Sequence, residues 1–132
     1  MRYAILGARM IEGLIFVIFG LNGLLHFFSP TLPTGDALTW FGIMAAHHWF
    51  NFISVVQLVG GLLLLLDRFV PLGLTLLAPV IVNILLYHAL LWPHGYAFAI
   101  VVLVLELFLL GVYWRSFAPL LRANPELKTP RL

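Results

Sequence analysis

The side chains of this sequence able to do chemistry form a short set: the amides Asn22, Gln57 and Asn83, the acid Glu106, the phenol Tyr87, and five histidines, His26, His47, His48, His88 and His94. Spacing groups some of them. Asn22 and His26 stand four residues apart, as do Asn83 and Tyr87, and Asn51 and Ser54 stand three apart, so on helices each pair shares a face. His88 projects about 100° away from Tyr87. A quinone needs one or two donors such as His, Asn or Tyr against its carbonyl oxygens and an apolar slot beside them, and this set meets that requirement. No metal is expected, because His47 and His48 are adjacent and project in different directions, and no His-x-x-x-His or His-Glu spacing falls on one helical face. Cysteine is absent, so no disulfide, Fe–S cluster, thiolate metal site or covalent haem is expected. Any redox chemistry must come from a bound cofactor.

The elements that position these groups follow from composition. Of 132 residues 63% are hydrophobic and 9% charged, with a mean hydropathy of +1.08, a balance that a water-soluble domain of this length does not tolerate. The bilayer is then the expected solvent, and continuous apolar runs rather than alternation select helices over a barrel. A crossing needs about twenty apolar residues. Four stretches qualify, at roughly 5–28, 50–66, 72–92 and 96–114, within about two to four residues at each end. The expected fold is therefore all-α, an integral membrane four-helix bundle forming one domain over about 1–121. The apolar run behind Arg2 and Arg9 reads as a retained first span rather than a cleaved signal, since no small-residue cleavage pattern follows it.

Between the first two spans, Pro30 and Pro33 impose a loop. Asp36 then has N-cap chemistry, and Ala37 to Ala46 reads as a short extra helix on the outer face carrying Trp40, Phe41 and Met44. Asp67-Arg68 and Trp92-Pro93-His94-Gly95 make tight turns. Beyond Arg115 a short basic amphipathic piece runs to Arg122, and residues 122–132 are expected to form a flexible tail.

Orientation follows from the basic residues. Arg2, Arg9, Arg68, Arg115, Arg122, Lys128 and Arg131 all fall at the N-terminus, in the second-to-third turn or in the tail, which predicts cytoplasmic termini. Trp40, Trp49, Trp92 and Tyr96 mark the outer interface, and Tyr3, Tyr113 and Trp114 the inner one. All five histidines then lie at the outer end. Asn22, Gln57, Asn83 and Glu106 approximate a deeper layer, each about 9–15 Å below its outer end.

An acid in hydrocarbon is a functional candidate, and Glu106 is expected to be protonated at neutral pH or hydrogen-bonded to an amide of its layer. The same polar groups also suit a packing role, as interhelical hydrogen bonds. Pro79 is expected to kink the third span one turn before Asn83, with Thr75 partly satisfying the freed carbonyl. Gly13, Gly20, Gly23, Gly60 and Gly61 read as points of close helix approach. Glu12, one turn from Arg9, reads as its interfacial ion-pair partner.

The stretch Gln57-Leu58-Val59-Gly60-Gly61, then Val70-Pro71-Leu72-Gly73-Leu74, then Leu77 through Ile84 to His88, resembles the DoxX family of small four-span bacterial membrane proteins. Gly13, Phe16, Gly20, Asn22 and His26, and the Pro30 to Pro33 connection, resemble its first half, and the similarity runs to about Leu121. It implies a four-helix membrane fold in the bacterial inner membrane and, through the family's namesake, a membrane subunit of a thiosulfate:quinone oxidoreductase.

Together these readings lead to an expected quinone-interacting component of a redox or stress-response system, with Asn22, His26, Gln57, Asn83, Tyr87 and Glu106 around the quinone. His26 and Asn83 would hold its oxygens, and Glu106 or His26 would handle protons. A noncatalytic anchor or assembly subunit is the alternative. A transporter is disfavoured by the lack of an inverted repeat or a second broken span. The expected partners are membrane lipid, a soluble or membrane redox protein and further copies of the chain, with no nucleic acid.

Overall fold

The computed structural model of the chain describes residues 1–125 and 127. The rest of the expected flexible tail, residues 126 and 128–132, lies outside the described residues. Among those described, the regular structure is entirely helical: α1 (Arg2–Leu25), α2 (Asp36–Ala46), α3 (Trp49–Leu65), α4 (Val70–Leu90), α5 (Tyr96–Val112) and α6 (Trp114–Phe117), continued by a 3₁₀ turn at Ala118–Leu121. α1 lies along α3, α3 along α4, α4 along α5, and α5 returns to α1, while α2 rests on α3.

α1 and α4 are each long and apolar enough to cross a membrane, and the number rises to four if two bent pairs each count as one span. One pair is α2 with α3, bent by 82°; the other is α5 with Trp114–Leu121, bent by 77°. Outward-facing positions on these helices carry Ile11, Ile18, Val55, Val59, Val82, Leu86, Val104 and Leu107, all exposed. An apolar exterior of this kind is what a hydrocarbon solvent selects.

Helix ends are set by local chemistry. α1 stops at Leu25, three residues before the expected boundary, because His26 turns left-handed (φ 53°) and its N–H returns to the Asn22 carbonyl at 2.8 Å. The Asn22 side chain completes the stop by accepting the Phe28 N–H at 2.9 Å. His48 (φ 57°) makes the corner between α2 and α3, and Asp67 and Phe69 (φ 54° and 53°) make the one between α3 and α4. α4 runs as a single helix through Pro79. The Thr75 hydroxyl donates to the Pro71 carbonyl at 2.8 Å, so it is engaged a turn away from the Thr75 carbonyl that Pro79 leaves without a donor, contrary to the expected role.

Glycines bring the axes together. A Cβ on Gly61 would lie 2.8 Å from the Gly13 carbonyl oxygen, one on Gly20 2.8 Å from both Leu58 N and the Ser54 carbonyl oxygen, and one on Gly73 3.0 Å from the Gly60 oxygen. The α1–α3 and α3–α4 contacts are thus backbone against backbone, the geometry that small residues permit. Around them Phe16, Leu64, Leu74, Leu77, Ile81, Val102 and Leu109 fill the core.

Candidate functional site

Four residues on one face of α4, Asn83, Leu86, Tyr87 and Leu90, recur at i, i+3, i+4 and i+7, the spacing of a continuous helical stripe. With Leu91 and with Trp40 from α2 they line a groove of about 220 Å³. α2 is held over this face by its aromatic side chains. The Trp40 ring sits 5.0 Å from Tyr87 at 37° and 5.8 Å from Phe50 at 72°, and Phe41 sits 4.8 Å from Phe50. Such ring pairs tie the short helix to both α3 and α4. Asn83 is exposed in the groove, and none of the side-chain hydrogen bonds among the described residues involves it. The groove therefore offers an amide, a phenol one turn away, and an aromatic wall.

Behind Tyr87, His88 serves the turn between α4 and α5. Its Nδ1 lies 2.9 Å from the Trp92 carbonyl oxygen, its ring lies edge-on to Tyr87 at 5.1 Å, and Gly95 (φ 79°) leaves room where a Cβ would come 3.2 Å from the imidazole. His94 stacks at 4.6 Å on Trp92. Among the described residues no group of three or more His, Asp or Glu side chains gathers where a metal could be held.

Of the six residues expected around one ligand, the structure brings only Asn83 and Tyr87 into this groove. Asn22 and His26 lie at the end of α1, the first spent on the Phe28 N–H and the second exposed as the terminating residue. Gln57 is half-buried on α3. The single polar layer also dissolves: with α1 ending at Leu25, Asn22 is about 4.5 Å from the C-terminal end of its helix, whereas Glu106 is about 15 Å along α5 from its start.

Glu106 faces Glu12. The two side chains, 3% and 0% exposed, meet across the α1–α5 contact within hydrogen-bonding reach of each other. All four of their oxygens are buried, and no N–H or O–H among the described residues donates to them. Arg9, one turn from Glu12, pairs instead with Asp67 in the α3–α4 corner, which corrects the expected Arg9–Glu12 ion pair. The close α1–α3 crossing carries that corner to the guanidinium. Sequence reasoning left Glu12 out of the site, yet a signal was present: Ala8, Glu12, Phe16 and Gly20 repeat every four residues beside Gly13, so the acid lies on the glycine-marked face that packs inward.

At the C-terminal end of α5, the bend into α6 makes a second groove of about 240 Å³, with an apolar lining of Leu110, Trp114, Phe117, Leu120 and Leu121. Compared with family models, with curated proteins and with solved structures, the chain matches none of them.

Proposed function

We propose that this chain is a DoxX-like protein crossing the bacterial inner membrane four times, with both termini cytoplasmic, and that it binds quinone as a membrane component of a redox or stress-response system. The carrying observation is the exposed, unpaired amide of Asn83, one turn from Tyr87, in a groove walled by Trp40. An amide facing hydrocarbon without a partner is costly, and a ligand carbonyl accepting its N–H removes that cost. A planar ring lying against Trp40 gains offset stacking, and the apolar wall of Leu86, Leu90 and Leu91 suits the start of an isoprenoid tail. The placement of Asn83 and Tyr87 four residues apart lets both oxygens of one small ring be addressed from a single helix face.

Native mass spectrometry of the protein released gently from its own membranes tests this reading. A stoichiometric quinone mass supports it, and Asn83→Ala should weaken that binding about tenfold, the equivalent of one hydrogen bond, with the protein still folded. Trp40→Ala should do at least as much.

A second reading, a noncatalytic anchor or assembly subunit, is favoured by the way Asn22 is consumed in closing its own helix and by the glycine-lined contacts that account for much of the interior without any ligand. A chain free of quinone that copurifies with another subunit would make this the better account.

A further inference from the structure

We propose that Glu12 and Glu106 form an internal proton-binding site, in which one carboxyl group donates to the other across the α1–α5 contact and the pair holds a single shared proton. This holds whether or not the quinone groove is occupied.

The argument is one of donors and acceptors. A carboxylate only accepts hydrogen bonds, so two that face each other need something between them to be bound at all. All four oxygens are sealed from the surface, and no donor among the described residues reaches them. A proton on one oxygen turns it into a donor to the other and removes half of the buried charge in one step, the arrangement that adjacent carboxyl groups adopt when both cannot ionise.

Among the described residues the elements around the pair offer it no other buried positive charge, Arg68 in the α3–α4 corner and Arg115 on α6 both being exposed. α3 carries no ionisable side chain, and α4 carries only Tyr87 and His88, both in its last turn at the far end. On α1, Arg2 and Tyr3 are exposed at the start of the helix, and the charge of Arg9 is met by Asp67. Tyr113 lies beyond the end of α5, seven residues from Glu106. A divalent cation would need several further oxygen ligands, and no third Asp, Glu or His among the described residues joins the pair.

A second polar group without a partner lies one turn along α1 from Glu12. Arg9 is itself only 9% exposed, and its Nε is buried without a partner, on the same face of α1 as Glu12 and about 4.5 Å along the axis. The other end of that guanidinium holds Asp67, whose side chain is 63% exposed. The guanidinium one turn from Glu12 thus carries a buried N–H without a partner and at the same time reaches an exposed acid at the helix corner.

Infrared spectroscopy of the full chain in lipid nanodiscs at neutral pH reads the proton directly. The carbonyl stretch of a protonated carboxyl group should be present, should shift in D₂O, and should vanish in the Glu12→Gln/Glu106→Gln double variant, whose two amides can hydrogen-bond to each other. Labelling of the unaltered protein with a hydrophobic carbodiimide supplies a second measurement that needs no variant. The carboxyl proton passes to a reagent nitrogen as the carboxylate oxygen adds to its central carbon, and rearrangement to the N-acylurea leaves the whole reagent on the protein. One adduct per chain is expected, on Glu12 or on Glu106 but not on both. Absence of the protonated band, its survival in the double variant, its loss on adding sodium or calcium at constant pH, or labelling that spares both residues would each overturn the proposal; the cation result would make the pair a metal-ion site instead.

Discussion

Replacing Gly61 with alanine should cost this protein more than its size suggests. The new Cβ would stand 2.8 Å from the Gly13 carbonyl oxygen, 2.9 Å from Val17 N and 3.0 Å from Val17 Cγ2. Two of those three are backbone atoms of α1, so no side-chain rotation relieves them. Ordinary contact begins at 3.4 Å, and the two helices must therefore separate by about 0.6 Å at the crossing. A gap of that size forfeits about a quarter or more of the dispersion energy of every atom pair along the contact, and α1–α3 is the most extensive helix pair in the fold. Overpacking of this kind costs about 1–3 kcal/mol, against which alanine returns up to about 1 kcal/mol of helix propensity. A net loss of about 1–2 kcal/mol is expected for Gly61→Ala, and a similar one for Gly20→Ala, whose Cβ would meet Leu58 N and the Ser54 oxygen. Gly7 provides the control on the same helix as Gly20, since nothing lies within 4 Å of a Cβ there, and Gly7→Ala should be neutral or stabilising. Reversible unfolding in mixed micelles of increasing SDS fraction, followed by tryptophan fluorescence, measures all three. If Gly61→Ala and Gly20→Ala unfold at the same SDS fraction as Gly7→Ala, the backbone contacts do not hold α1 against α3 and the reasoning fails.

The Arg9–Asp67 pair should respond asymmetrically in the same assay: Asp67→Asn leaves a buried guanidinium without its counter-charge and should cost about 1–3 kcal/mol, whereas Arg9→Met removes that charge and should cost less. Equal losses from the two variants would count against a buried Arg9. Asn22→Ala should cost about 1 kcal/mol by leaving the Phe28 N–H without its acceptor, and amide exchange at Phe28 should speed up with little change in the middle of α1. Unaltered exchange there would show that the Asn22 side chain does not close the helix.

How far the sequence could be read depended on whether the deciding contact was local. Apolar runs and turn residues placed four long helices and the short one at Asp36–Ala46 to within a few residues, because a run of about twenty apolar residues between Pro, Gly or charged breaks has few other solutions. The glycines of α1 and α3 were legible for a similar reason: a residue without a Cβ on an apolar face leaves room for another backbone. The errors lie where a tertiary partner outbids a sequence neighbour. Arg9 and Glu12 are one turn apart, yet the guanidinium turns to Asp67, because the glycine crossing brings the α3–α4 corner within its reach, while Glu12 is buried facing α5. Asn22 looked like one step of a polar stripe and is instead the residue that ends its helix.

Periodicity states which side chains share a face, and depth counted from helix ends states which share a level; neither states which two faces meet. The set expected around one ligand therefore separates once α1 and α5 are placed together. Glu106, counted into one deeper layer with Asn83, lies six residues from the C-terminal end of α5, about 9 Å from it, opposite Glu12. Asn83 and Tyr87 remain seven and three residues from the C-terminal end of α4, under Trp40. The chemistry splits accordingly: a groove with an amide, a phenol and an aromatic wall opens outward from α4, and a sealed acid pair sits inside near the Arg9–Asp67 corner. Because α3 lies between α1 and α4 with glycine contacts on both sides, the spacing that admits Glu12 to the interior and the position of the helix that carries Asn83 are set by the same crossing residues. A change at Gly60 or Gly61 should accordingly disturb the acid pair and the groove together, although neither glycine touches either.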